Sequence, residues 1–130
     1  MPISYRIDSN VGIVFTTVTG VLTDEELLEH KRKLSADPEF KPGMVELSDV
    51  RDVTGLDVSS EGVRRFVHQD RLDAERLRDY KLAIVVSRDV VFGMARMYQM
   101  LTEVNVPNVG VFRSLEEAMA WLGGRSSESR

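Results

Sequence analysis

Cysteine is absent from all 130 residues. That excludes disulfides, thiol nucleophiles, iron–sulfur ligation and thiolate zinc sites. Long apolar runs are missing too. The longest, such as residues 82–86, fall far short of the roughly 20 residues a membrane span requires. No apolar stretch follows Met1-Pro2-Ile3-Ser4-Tyr5-Arg6, so no targeting segment is legible, and a soluble cytoplasmic protein is expected. Lysine and arginine (17) are outnumbered by aspartate and glutamate (21), for a net charge of −4. Such a chain lacks the basic field that nucleic-acid binding needs. The two histidines, His30 and His68, fall on separate polar helix faces and read as solvated rather than as metal ligands. There is no glycine-rich phosphate loop and no G-x-S-x-G elbow. Asp49 and Asp52 are near in sequence, but spacing alone gives neither acid–base geometry nor a pocket. The expectation is a protein without catalysis, cofactor or metal.

What is present is 42% apolar and 29% charged residues, enough for a globular domain that buries roughly two-thirds of its unfolded surface. Ile3, Tyr5 and Ile7 alternate with polar residues, the period of a half-buried strand. Asp8-Ser9-Asn10 has turn chemistry. Residues 11–19 are rich in β-branched side chains. Ile13 and Phe15 on one side and Val14 and Val18 on the other predict a strand buried on both faces. After Gly20 the period becomes helical. Thr23 and Glu26 form a capping box, acids fill the first turn and bases the last, and the helix ends by Pro38. Further strands are predicted at 44–47 or 44–49, 80–87 and 107–112. Further helices run from Ser59 or Ser60 toward Leu77, from Asp89 to about Val104, and from Ser114 through Leu122. The order β-β-α-β-α-β-α-β-α implies right-handed βαβ crossovers. It predicts an α/β fold with a mixed, mostly parallel five-stranded sheet in sequence order, its first strand antiparallel at an edge. Residues 1–122 read as one domain, and 123–130, which hold no apolar residue, as a flexible tail.

In such a sheet, ligands bind beyond the carboxyl ends of the strands. That edge gathers Thr17 and Thr19, then Asp49, Arg51, Asp52 and Thr54, then Ser87, Arg88 and Asp89, then Arg113 and Ser114. Two helices depart from simple amphipathicity. In the second, Val63, Phe66, Val67, Ala74 and Leu77 share a face whose middle is Asp70. An unpaired buried carboxylate costs several kcal/mol, so a kink near Gln69 or a partly exposed Asp70 is expected. In the third, an apolar arc of about 220° includes Met94, Met97, Tyr98 and Leu101, where one sheet face needs little over 100°. The surplus faces neighbouring helices, a partner chain or an apolar ligand. The inner strands are apolar on both faces, yet sequential crossovers place the crossover helices on one. Either a helix crosses to the far face or a second subunit covers it, and a homodimer is expected.

The element order, with Val45-Glu46-Leu47-Ser48-Asp49-Val50 and then Asp52-Val53-Thr54-Gly55-Leu56, resembles the STAS domains of anti-sigma-factor antagonists. Those domains carry Asp-Ser-Ser/Thr-Gly-Leu after the equivalent strand. A partner kinase phosphorylates its second hydroxyl residue and so switches binding to an anti-sigma factor. Asp52, Thr54, Gly55 and Leu56 match. Val53 replaces the first hydroxyl residue, and Asp57-Val58-Ser59-Ser60 intervenes before the helix. Leu47-x-Asp49, Val91-Phe92-Gly93-Met94-Ala95-Arg96, Val111-Phe112-Arg113 and Ala118-x-Ala120-Trp121-Leu122 are similar to the uncharacterised bacterial SpoIIAA-like proteins, over nearly the whole chain. The fold is shared with lipid-transfer domains of the CRAL-TRIO type. The resemblance implies a non-catalytic regulatory module whose protein partner meets a loop holding Asp49, Asp52, Gly55 and Leu56. A phosphate on Thr54, Ser59 or Ser60 would add about −2 charge beside Asp52 and Asp57 and eject the partner. The alternative is a carrier or sensor of a small apolar ligand such as a lipid. It would bind on Met94, Met97, Tyr98 and Leu101, in a cavity of several hundred Å³.

Overall fold

Five strands and four helices follow one another in the order the periodicities predict. The computed structural model describes residues 3–72, 80–101 and 108–123, with backbone alone for 71, 90 and 101. β1 (Ile3–Asp8) and β2 (Ile13–Thr23) form an antiparallel hairpin. Gly12 closes its turn at φ +73°, a conformation open to glycine at no steric cost, and its N–H donates to the Asp8 carbonyl at 2.9 Å. α1 (Asp24–Ala36) follows at once, with both halves of the Thr23–Glu26 capping box formed. β3 (Val45–Asp57), α2 (Ser60–Leu72), β4 (Lys81–Val85), α3 (Asp89–Leu101), β5 (Asn108–Phe112) and α4 (Leu115–Trp121) complete the chain. The helix ends expected near Leu77 and Val104, and the tail from 124 onward, lie outside the described residues. The sheet runs β1-β2-β3-β4-β5, with every pair after the hairpin parallel. No helix among the described residues is long and apolar enough to cross a membrane.

One strand is longer than its composition suggests. β3 was expected to stop at 47 or 49 and to give way to a loop; it runs to Asp57. β4 ends at Val85, opposite Asp49. Beyond that point β2 and β3 continue together as a two-stranded ribbon. The 13 residues of β3 pair with the 11 of β2, and two register shifts, at Thr17/Thr19 and Gly20/Val21, absorb the difference. Asp49, Asp52, Thr54, Gly55 and Leu56 are therefore strand residues.

The three crossover helices share one face of the sheet, as right-handed connections require. Their side chains join Val14, Val18, Leu82 and Val109 in one apolar layer. α4 crosses to the far face, where Ala118 and Leu122 cover Ile13, Val45, Leu47, Ala83 and Val85. The fit there is close. A Cβ on Gly110 would lie 2.7 Å from the Phe112 ring and 3.2 Å from Trp121. Of the two ways to cover that face, the chain uses its own helix.

The helix layer is uneven. α1 and α3 rest on the strands, but α2 packs mainly on α1 and α3. Ser48 and Ile84 sit side by side on the two central strands beneath it. Both are only half-buried, although a central position ordinarily means full cover. α2 itself is helical through Gln69, and Asp70 is completely buried. The expected kink or exposure does not occur.

Candidate functional site

The gap under α2 is a cavity of about 130 Å³. Its walls are apolar: Val18, Val50 and Leu56 from the strands, Val63 and Phe66 from α2, and Met94 from α3. Its polar groups are gathered on the sheet floor and on α1. Thr16 and Ser48 are register partners on β2 and β3, Glu46 precedes Ser48 on the same face, and His30 reaches down from α1.

Glu46 organises this end. It is 5% exposed and accepts hydrogen bonds from the Thr16 hydroxyl at 2.5 Å, from His30 Nε2 at 3.2 Å and from the Tyr80 hydroxyl. Burial alone would push its carboxyl up. The hydrogen bond and charge of His30, with the two hydroxyls, outweigh burial and hold it below the usual carboxylate range. An ionised carboxylate only accepts, so the His30 Nε2 carries a proton. The His30 ring also stands edge-on to Tyr5, with centroids 5.6 Å apart. The expectation of a solvated His30 is thus corrected: its side chain is 10% exposed. His68 is exposed, as its polar face predicts.

A second buried cluster explains Asp70. The Tyr98 hydroxyl donates to one carboxylate oxygen at 2.5 Å, and the Lys31 ammonium meets the other. Lys31 also lies 4.8 Å above the Phe66 ring. Both carboxylate oxygens are met, so burial is tolerable. Burial and the neighbouring carboxylates push the Tyr80 and Tyr98 hydroxyls well up, which keeps them protonated as donors. Lys31 belongs to α1, Asp70 to α2 and Tyr98 to α3, so this cluster clamps three helices. The start of α2 is held separately. Asp24 accepts from the Ser59 N–H at 3.0 Å and from its hydroxyl at 2.7 Å, while Ser59 Oγ accepts from the Gly62 N–H at 2.9 Å. A void of about 20 Å³ touches Glu46 and Tyr98, room for one water.

The sequence-predicted residues separate into groups. Met94 and Tyr98 line the cavity, Met97 packs against the core beside it, and the Leu101 side chain lies outside the described residues. Leu56 lines the cavity from the ribbon, while Asp52 and Thr54 are exposed on it and Gly55 lies against Val21. Ser59 caps α2, and Ser60 is exposed in its first turn. Asp49 is held below the usual carboxylate range by hydrogen bonds from Arg51, at 2.8 and 2.9 Å. The carboxyl edge converges as expected. Ser87 donates to the Arg51 carbonyl at 2.9 Å, and Arg113 donates to the Ser87 carbonyl at 3.1 Å and to Asp89 at 2.8 Å. Those groups satisfy one another at the surface and are not among the described residues that line the cavity under α2. Glu46, Thr16, Tyr80 and Lys31 were not singled out from the sequence. The available signal was Glu46, a carboxylate between Val45 and Leu47 in a central strand.

No protein-family model and no curated protein matches the chain. Among solved structures, it is similar to an uncharacterised protein of the DUF3478 family from Shewanella loihica PV-4, which has a SpoIIAA-like fold. The identity is 16%, the TM-score is 0.59, and the match covers 92% of this chain and 91% of that one. Sheet order, helix placement and this likeness agree: the chain has a SpoIIAA-like fold.

Proposed function

We propose that the protein is a non-catalytic ligand-binding module, a carrier or sensor for one small apolar molecule. The observation that carries this reading is the cavity of about 130 Å³ over Ser48 and Ile84, apolar except at its Glu46–His30 end. An engineered apolar cavity of about 150 Å³ takes up benzene. The occupant is therefore a single ring or a short acyl chain. A whole lipid needs the several hundred Å³ typical of larger ligand sites. α2 forms one wall, so occupancy bears on the Asp24–Ser59 and Lys31–Asp70–Tyr98 contacts that hold it. The test is solvent extraction and mass spectrometry of protein purified from its source cell, with small-fragment titration by NMR. Wild type is expected to yield or bind a small apolar molecule that shifts Ser48 and Ile84, and Ile84→Phe, which fills the space, to lose it. Bare protein that no fragment perturbs at those residues overturns the reading.

A second reading, a phosphorylation-switched protein-interaction module, draws support from Ser59. Its hydroxyl donates to Asp24, and a phosphate there would set about −2 charge against that carboxylate. This would free the start of α2. Peptide mass analysis of natively purified protein is expected to place phosphate within residues 52–60. Phosphate found only elsewhere, or in no growth condition, overturns it.

A further inference from the structure

α2 has a second working side. Val63 and Phe66 line the cavity beneath it, while Arg64, Arg65 and His68 are exposed on its outer surface. Together with Leu28 and Arg32 of α1 and with Glu61, these three line an open groove of about 460 Å³ where the two helices pack. We infer that this groove is an interaction surface for a partner protein, and that it takes a short acidic segment in which carboxylates flank an apolar residue. The surface is independent of the ligand-binding reading.

The chain as a whole is acidic, with 21 aspartates and glutamates against 17 lysines and arginines. The groove reverses that balance: three arginines and a histidine stand against Glu61. Arg64 and His68, one helical turn apart, make no hydrogen bond or ion pair among the described residues. Arg32 and Arg65 are paired within their own helices, with Glu29 at 2.5 Å and Glu61 at 3.6 Å, through exposed side chains. Exposed pairs of this kind are weak, so an incoming carboxylate displaces them at little cost. A guanidinium presents its donors as a planar fork that matches a carboxylate. Leu28 is half-buried in the same lining. The groove therefore offers apolar contact as well as charge, and a peptide side chain uses both. A nucleic acid or an anionic membrane would bring its continuous negative charge against the acidic remainder of the chain. A short segment meets the groove alone, where the charges are complementary.

The test titrates the wild-type chain with two capped pentapeptides of similar shape, Glu-Asp-Leu-Asp-Glu and Gln-Asn-Leu-Asn-Gln, and separately with inorganic phosphate and a short oligothymidylate. Binding is read by NMR shifts at Leu28, Arg32, Arg64 and His68. The acidic peptide is expected to bind about tenfold or more tightly than the neutral one. Most of that advantage is expected to vanish in about 0.5 M salt, where exposed charges are strongly screened. Arg64→Glu is expected to weaken the acidic peptide about tenfold. Arg64 has no ion pair to lose, and glutamate is a good helix former, so the fold is kept. Arg6→Glu makes the same charge change over Phe15, on the far face of the sheet, and is expected to alter binding by less than about twofold. No response to the acidic peptide, equal binding of the two peptides, or equal weakening by Arg6→Glu and Arg64→Glu overturns the inference. So does phosphate or oligothymidylate that binds at these residues as tightly as the acidic peptide. The ligand-binding reading stands under each of these outcomes.

Discussion

Asp70 has no solvent exposure, yet Tyr98 and Lys31 meet its two oxygens from two other helices. Its removal strands an ammonium in the core. Asp70→Ala is expected to cost about 3–5 kcal/mol, read as a lower urea midpoint. Replacing both partners, Lys31→Met with Asp70→Leu, is expected to restore most of it, since apolar packing often equals a buried pair. Glu46 gives a different signature. Its carboxyl is held below the unfolded value, so its contribution is present above about pH 4.3 and disappears as pH falls through the folded pKa. Acid unfolding of Glu46→Gln is expected to be less steep with pH than that of wild type. Tyr5 acts at the other end of the scale. Burial and its hydrogen bond to Asp37 raise its hydroxyl to about 12. That stabilisation is complete below pH 10 and lost as pH rises toward 12. Tyrosinate absorbance against pH, with Tyr5→Phe as the comparison, is expected to show one phenol fewer titrating late. Of these residues Asp70 stands out in the sequence as a conflict, and Tyr98 only as part of an apolar arc. Its resolution was hidden because Lys31 and Tyr98 lie 39 and 28 positions away, on other helices, and helical periodicity reports only one's own face.

At the scale of elements, most of the fold was legible. Alternation marked β1, the two-sided apolar pattern marked β2, and the capping box at Thr23 and the N-cap Ser114 set the starts of α1 and α4. The ribbon half of β3 was not legible. Val50, Val53 and Leu56 reach one apolar cluster at a spacing of three, because two bulges each insert a residue and break the strand period of two. Among Ser, Asp, Thr and Gly, that spacing imitates a loop. The standoff of α2 was equally hidden, since its apolar face reads the same whether it packs on strands or on helices. Gly62 tests how α2 is attached. Alanine in a helix interior is usually worth up to about 1 kcal/mol over glycine. Here a Cβ would collide with the Asp24 carboxylate that holds Ser59. Gly62→Ala is expected to bring no gain in thermal stability in wild type. In an Asp24→Ala background it is expected to stabilise. A double-mutant cycle over the four proteins measures the coupling.

For the whole molecule, both motives for a dimer are met within one chain. α4 covers the far face of the sheet, and Met94 and Tyr98 of the third-helix arc face the cavity. Met100 is left out, at 64% exposure. Light scattering at micromolar concentration is expected to give a mass near 14.7 kDa. A value near twice that returns Met100 and its surroundings to the role of an interface. The standoff of α2 also makes the folded state bulky for its mass. Compression favours whichever state occupies less volume. Unfolding typically contracts a protein by about 20–100 mL/mol, in proportion to the internal voids it eliminates. With about 130 Å³ under one helix, this chain belongs toward the upper part of that range. Hydrostatic pressure should therefore loosen α2 before the sheet. An occupant, or the bulk of Ile84→Phe, should raise the pressure at which that loosening begins.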